Sequence, residues 1–110
     1  MTLHIGLYLF DDLQVLAGPF EVFSTASRVH KRREPEAPAP FEVHTVSREA
    51  APVLARAGLP VLARHRLDAH PKLDVLIVPG GVVTAELERP EVLAWIARHS
   101  ATAQVTASVC

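Results

Sequence analysis

The sequence has one cysteine, Cys110, in 110 residues, so no disulfide can form within the chain. A chain without paired cysteines suits a reducing compartment, and we expect a cytoplasmic protein. Long apolar runs are also missing, since nothing approaches the ~20 apolar residues of a membrane span. The first residues lack the basic segment of a signal peptide. We therefore expect no leader and no membrane partner.

An excess of charge is lacking as well. Eleven Lys and Arg oppose twelve Asp and Glu, which gives a net charge of −1. Nucleic-acid binding needs clustered basic residues, so we expect no nucleic-acid partner for this segment. The basic group Lys31–Arg33 suits a solvated helix end, where cations are favourable. The six histidines form no HxH or HxxxH pair, so the sequence predicts neither a metal site nor a cofactor.

Apolar runs alternate along the chain with helical patterns. The helices are expected to open at Gly18-Pro19 and at Pro90, because proline suits a first helical turn. Such alternation implies right-handed crossovers and a mostly parallel sheet. The predicted fold class is α/β, a flavodoxin-like three-layer sandwich. Its strands are expected at residues 3–10, 41–46, 74–78 and 104–109.

Two further segments flank the predicted strand at residues 41–46, one before it and one after it. Residues 34–40 contain three prolines and predict an exposed loop, either a plain connector or a docking site for a proline-binding partner. Residues 52–67 contain two β-like pieces around Gly58, which predict a hairpin or β-arm. A short internal repeat is the other interpretation.

The last predicted strand, residues 104–109, is apolar and reads as buried, yet no helix follows it to cover a sheet face. An uncovered apolar face is unfavourable in water. We therefore interpret residues 1–110 as a single α/β domain that is incomplete at its C-terminus, the first part of a longer domain.

The carboxyl ends of parallel strands are where sites form in α/β sheets. Gly80 and Gly81 follow one such strand and can aim backbone N–H groups at a ligand. Cys110 follows another, where a helix N-terminus next in the chain would favour the reactive thiolate. The alternatives are an ordinary tight turn for the glycines and a small buried apolar residue for Cys110.

The motifs GPFEVF, DVLIVPGG and ASVC, in this order, resemble the ThiJ/PfpI superfamily, whose fold is like that of class I glutamine amidotransferases. The stretch VSREAAPVLARAGLPVL resembles the β-arm of members close to isonitrile hydratase and to AraC-type regulators. The resemblance implies that Cys110 is the nucleophile at a nucleophile elbow and that the Gly81 amide is an oxyanion donor. It also implies that Glu21 faces the pocket as a catalytic residue, that Gly18 and Gly80 bind the ligand, and that the protein is a homodimer. Stabilisation of the helix dipole is a complete alternative role for Glu21.

One position departs from the family pattern. An acidic residue usually stands three residues before the glycine that opens the first helix, and here that position is Val15. Asp11 or Asp12 could replace it only if the loop folds back. His65 and His70 are expected to have surface roles rather than catalytic ones.

Three functions follow from the resemblance. The first is a cysteine-dependent enzyme that acts on a small electrophilic molecule, by isonitrile hydration or by hydrolysis or lyase chemistry. The second is a non-catalytic ligand-sensing domain of an AraC-type regulator, which the apolar Val15 favours. The third is an oxidative-stress protein that senses oxidants through its cysteine.

Overall fold

The computed structural model describes all residues of the chain, 1–110. Seven strands and three α-helices follow one another along the sequence, and a short 3₁₀ turn joins the third and fourth strands. In chain order the elements are β1 (Leu3–Leu9), α1 (Ala17–Arg33), β2 (Phe41–Ser47), β3 (Val53–Leu54), β4 (Pro60–Val61), β5 (His65–Arg66), β6 (Val75–Pro79), α2 (Thr84–Leu87), α3 (Pro90–Thr102) and β7 (Val105–Val109).

A five-stranded sheet in the order β5-β2-β1-β6-β7 forms the centre of the molecule. All four of its strand pairings are parallel, as the alternation of strands and helices predicted. The central strand β1 is buried from Ile5 to its end. A nearly continuous apolar sequence is what a parallel strand covered on both faces requires.

The helices cover the two faces of this sheet. On one face α1 packs against β2, where the rings of Phe23 and Phe41 lie 5.0 Å apart and the Ser27 hydroxyl donates a 2.8 Å hydrogen bond to the Phe41 carbonyl. On the other face α3 buries Trp95, whose ring centroid lies 5.7 Å from that of Tyr8 on β1. The predicted three-layer α/β sandwich is confirmed.

Most element predictions are close to the structure. Helix α1 begins one residue before Gly18, and α3 begins at Pro90 as expected. The predicted hairpin is present, since β3 and β4 pair antiparallel around a turn that contains Gly58. The sequence did not predict β5 or α2, because elements of two and four residues are too short to show a hydrophobic period.

The last strand differs from its predicted burial. It was expected to be buried, yet β7 lies at a sheet edge, paired only with β6, and Val105 is 53% exposed. An edge strand has a neighbour on one side only, and no residue of β7 is fully buried. Separately, no helix of the protein has the length and apolar character needed to cross a membrane.

Candidate functional site

The carboxyl ends of β6 and β7 meet at one edge of the sheet because the two strands are parallel neighbours. Cys110 comes directly after β7 and is exposed, and Gly80 comes directly after β6. The Gly80 N–H donates a hydrogen bond to the Val109 carbonyl. A Cβ atom on Gly80 would lie 3.0 Å from the Cys110 Cα and 3.6 Å from its Sγ. The structure thus places Gly80 beside Cys110, and a larger residue at position 80 would crowd the backbone of Val109 and Cys110.

Gly81 is in a conformation that only glycine adopts readily. Its φ angle is +153°, and a Cβ atom there would lie 2.5 Å from the Asp12 carbonyl oxygen and 2.7 Å from the Leu13 Cα. Both neighbours are backbone atoms, which cannot move aside as a flexible side chain can. The position therefore requires glycine for two independent reasons, backbone strain and space.

Two hydrogen bonds attach this turn to the loop after β1. The Gln14 N–H donates to the Gly80 carbonyl at 2.9 Å, and the Val82 N–H donates to the Asp12 carbonyl at 3.2 Å. The Gly81 N–H, between them, donates to no carbonyl or side chain of the protein. The turn next to Cys110 is therefore held rigidly from both sides while its middle amide stays available as a donor.

The hairpin formed by β3 and β4 holds the same loop from the outside. The Asp12 N–H donates to the Leu54 carbonyl at 2.8 Å, and the Asp11 Oδ1 atom accepts from the Leu54 N–H at 2.9 Å. The Arg56 N–H donates to the Leu13 carbonyl at 2.8 Å. The Asp11 carboxylate thus serves the hairpin contact, and this loop gives no sign that it replaces the acid missing at Val15.

Glu21 and Gly18 lie on α1, apart from the turn. The side chain of Glu21 is 58% exposed, and its carboxylate lies 3.6 Å from the Arg28 guanidinium. Gly18 faces open space, since a Cβ atom there would meet nothing within 4 Å. Glu21 lines a cavity of about 350 Å³ to which Cys110 does not contribute, together with Leu16, Ala17, Phe20, Thr45, Val61, Leu62 and Arg64.

A buried carboxylate was missed in the sequence. Glu86 on α2 is 7% exposed and accepts hydrogen bonds from the Tyr8 hydroxyl and, at 2.8 Å, from Arg89 Nη1. Burial, and then the hydrogen bond to Glu86, raises the pKa of Tyr8, so the phenol keeps its proton and donates it to the carboxylate. This contact ties α2 to the central strand. Nothing in the sequence distinguishes Glu86 from a surface glutamate.

A cluster of imidazoles was missed as well. His4 on β1 pairs in register with Glu42 on β2, and His44 lies two residues further along β2 on the same face. The His4 Nδ1 and His44 Nε2 atoms are 2.9 Å apart, and Glu42 Oε2 lies 3.8 Å from His4 Nδ1. The expectation of no metal site rested on the spacing of histidines within one segment. Such spacing cannot reveal side chains that two neighbouring strands bring together. The pattern Glu42-x-His44 is the signal that could have indicated the cluster.

Two histidines have lowered pKa values. Burial is the main cause that lowers the pKa of both His44 and His99. Neighbouring histidine and arginine side chains lower these pKa values further, while Glu42 opposes the shift at His44. Each imidazole therefore stays neutral over a wider pH range in the folded protein than in the unfolded chain.

Comparisons with known proteins agree with this architecture. No protein-family model matches the chain. Its sequence is 32% identical over 113 residues to isonitrile hydratase from Pseudomonas putida, an alignment that covers all of this chain and 44% of that protein. Its structure superposes on a ThiJ/PfpI family protein from Pseudomonas syringae with a TM-score of 0.74 and 22% identity, over 100% of this chain and 43% of the other. The chain has the fold of the ThiJ/PfpI superfamily.

Two further solved structures resemble this chain. DJ-1beta from Drosophila melanogaster gives a TM-score of 0.67 with 18% identity, over 100% of this chain and 56% of the other. An AraC family transcriptional regulator from Pseudomonas putida gives 0.65 with 19% identity, over 96% of this chain and 63% of the other. The resemblance found in the sequence motifs is confirmed. The chain spans about half the length of these similar proteins.

The contacts of Gly81 predict a specific sensitivity to added side-chain bulk. We expect Gly81→Ala to lower the free energy of unfolding by about 2 kcal/mol or more, because strain and a backbone clash act together. Gly18→Ala is the matched control, and it should be neutral or stabilise by up to about 1 kcal/mol, since a helical glycine gains from the change. Urea unfolding of both variants makes the comparison. Equal effects of the two substitutions would contradict this account of the turn.

The two depressed histidine pKa values predict a loss of stability in mild acid. Below the ordinary histidine pKa of 6.5 the unfolded chain takes up protons that folded His44 and His99 do not, so stability falls as the pH drops. Urea midpoints at about pH 7.5 and pH 5.5 measure this loss. In His99→Gln the loss between the two pH values should be smaller than in wild type. An unchanged loss would show that His99 does not contribute.

Proposed function

We propose that this chain provides the cysteine site of an enzyme that acts on a small electrophilic molecule, with hydration of an isonitrile as the leading reaction. The observation that carries the proposal is the placement of Cys110 against the Gly80–Gly81 turn, with the Gly81 N–H available as a donor. The similarity to isonitrile hydratase, at 32% identity, supports the choice of reaction.

The reaction can be written with the Cys110 thiol as the only protein nucleophile. The sulfur bonds to the terminal isonitrile carbon, and the proton lost by the thiol is delivered to the same carbon, which gives an S-linked thioimidate. Water then adds to that carbon while the nitrogen takes a proton, and the carbon–sulfur bond breaks. The thiol recovers its proton and the product is an N-substituted formamide, which is the isonitrile plus one water.

The backbone supplies the stabilisation that this sequence of steps needs. Negative charge collects on the oxygen when water adds to the carbon and loses its proton, and it passes to sulfur as the carbon–sulfur bond breaks. A fixed N–H donor beside that oxygen would stabilise the intermediate without reorganisation. In this proposal Gly81 is that donor, and Gly80 matters because its lack of a side chain lets Cys110 approach the turn. The proposed oxyanion hole is thus made of backbone. Glycine at positions 80 and 81 is required by the close approach of neighbouring backbone atoms, not by the N–H group itself.

A second function is favoured by one residue. Val15 brings no carboxylate to the site, and Asp11 already accepts a hydrogen bond from the Leu54 N–H. Proton transfer to the isonitrile carbon must then rely on the thiol and water alone. A ligand-sensing domain without turnover, as in an AraC-type regulator of the same fold, needs no such acid, and the similarity to the Pseudomonas putida regulator supports this alternative. The homodimer implied by the resemblance belongs to both proposals.

Isonitrile turnover by the purified protein tests the enzyme proposal. We expect formamide to form from a small alkyl or aryl isonitrile, and Cys110→Ser to lower kcat/KM by at least about a thousandfold, as removal of a nucleophile does. Ser108→Ala is the matched control, because Ser108 is exposed on the same face of β7 but bears no thiol, and it should keep wild-type activity.

The outcomes separate the two functions. Turnover that survives Cys110→Ser would contradict the cysteine mechanism. An isonitrile that raises the melting temperature without being converted would favour the sensing domain over the enzyme.

A further inference from the structure

We propose that His4, Glu42 and His44 form a binding site for a divalent transition-metal ion, with Zn²⁺ as the best match. The ligand atoms of these three side chains all lie within 4.8 Å of one another. His4 and Glu42 stand near the amino-terminal ends of β1 and β2, and His44 lies at the middle of β2, whereas Cys110 follows the carboxyl end of β7. The site is therefore separate from the proposed cysteine chemistry and does not depend on it.

The distance between the two imidazoles fits a shared ion. Zinc–nitrogen bonds of about 2.0–2.1 Å place two nitrogens on one ion about 2.9–3.4 Å apart, for angles between 90° and the tetrahedral value. The His4 Nδ1 to His44 Nε2 distance is 2.9 Å. In the metal-free protein this contact is a hydrogen bond between the two rings, and a separation by roughly half an ångström would let both nitrogens share one tetrahedral ion.

The carboxylate can complete the site with a small movement. Glu42 Oε2 lies 3.8 Å from His4 Nδ1 and within 4.8 Å of the His44 ligand nitrogen. It must therefore approach the first by roughly half an ångström and the second by up to about 1.5 Å to share an ion with both. The Glu42 side chain is 54% exposed and is free to rotate toward the ion. The backbone behind His4 is held firmly, because the His4 N–H donates to Asp74 Oδ2 at 2.8 Å.

His65 provides the outer support that metal-bound histidines usually have. The His44 Nδ1 atom lies 3.3 Å from His65 Nε2, so His44 can donate its Nδ1–H to His65 and present the Nε2 lone pair to the ion. Such a second partner orients the ring and raises the basicity of the ligand nitrogen. His44 itself is 3% exposed, and burial keeps its ring neutral, which is the form that binds metal.

The donor set selects the kind of cation. Two imidazole nitrogens and one carboxylate oxygen are typical ligands of zinc and its neighbours in the first transition row, whereas calcium and magnesium prefer oxygen alone. Three protein ligands leave a fourth position of the tetrahedron for water. We therefore expect Zn²⁺ to bind in a 1:1 ratio and Mg²⁺ not to bind.

Calorimetric titration of the purified protein with zinc chloride near neutral pH tests the site. His4→Gln and Glu42→Gln remove one ligand each, and both residues are partly exposed, so the variants should fold. His99→Gln is the matched control, since it leaves the same number of histidines as His4→Gln but removes an imidazole from α3. Wild type and His99→Gln should bind one zinc ion with equal affinity.

The variants are expected to differ by large factors. His4→Gln and Glu42→Gln should each weaken zinc binding by at least about tenfold, and His65→Gln should weaken it by about 10- to 100-fold, as loss of an outer partner does. Zinc should also raise the melting temperature of wild type, since it binds the folded chain. The proposal is overturned if zinc does not bind, or if either His4→Gln or Glu42→Gln binds it as tightly as wild type does.

Discussion

The close backbone approach between the loop after β1 and the turn after β6 is the constraint on which the candidate site depends. At Gly81 the two segments are so near that a single added carbon would lie 2.5 Å from the Asp12 carbonyl oxygen. Hydrogen bonds from Gln14 and Val82 attach the segments on either side of that contact. The hairpin after β2 then holds the loop through Leu54. Three separate parts of the chain therefore determine where the turn beside Cys110 lies.

The backbone and one side chain have different roles at the candidate site. The sheet places Cys110 and the turn side by side because β6 and β7 are parallel and in register through Pro79 and Val109. The proposed chemistry then needs one thiol and one N–H group, and both are positioned by elements that are rigid for reasons of packing. The Asp11 carboxylate helps to hold the loop, since it accepts a hydrogen bond from the Leu54 N–H, and position 15, where the resemblance implied an acid, is the apolar Val15.

The sequence predicted the fold, and the meeting of Cys110 with the glycine turn, because those parts leave local signals. Continuous apolar strands, prolines at helix starts and paired glycines after a strand each have a direct physical cause in the chain itself. The burial of Glu86 and the meeting of His4 with His44 have no such signal, since both depend on register and packing between distant segments. The exposure of β7 likewise depends on which neighbours a strand receives in the sheet.

Amide hydrogen exchange of the turn, followed residue by residue by NMR, is the most direct measurement of the central claim. The Gly80 and Val82 N–H groups donate to carbonyls and should exchange slowly, whereas the Gly81 N–H between them should exchange much faster. That pattern would show a rigid turn with one available donor beside Cys110. A Gly81 amide protected as strongly as its two neighbours would mean that the donor is already engaged, and the oxyanion role would fail.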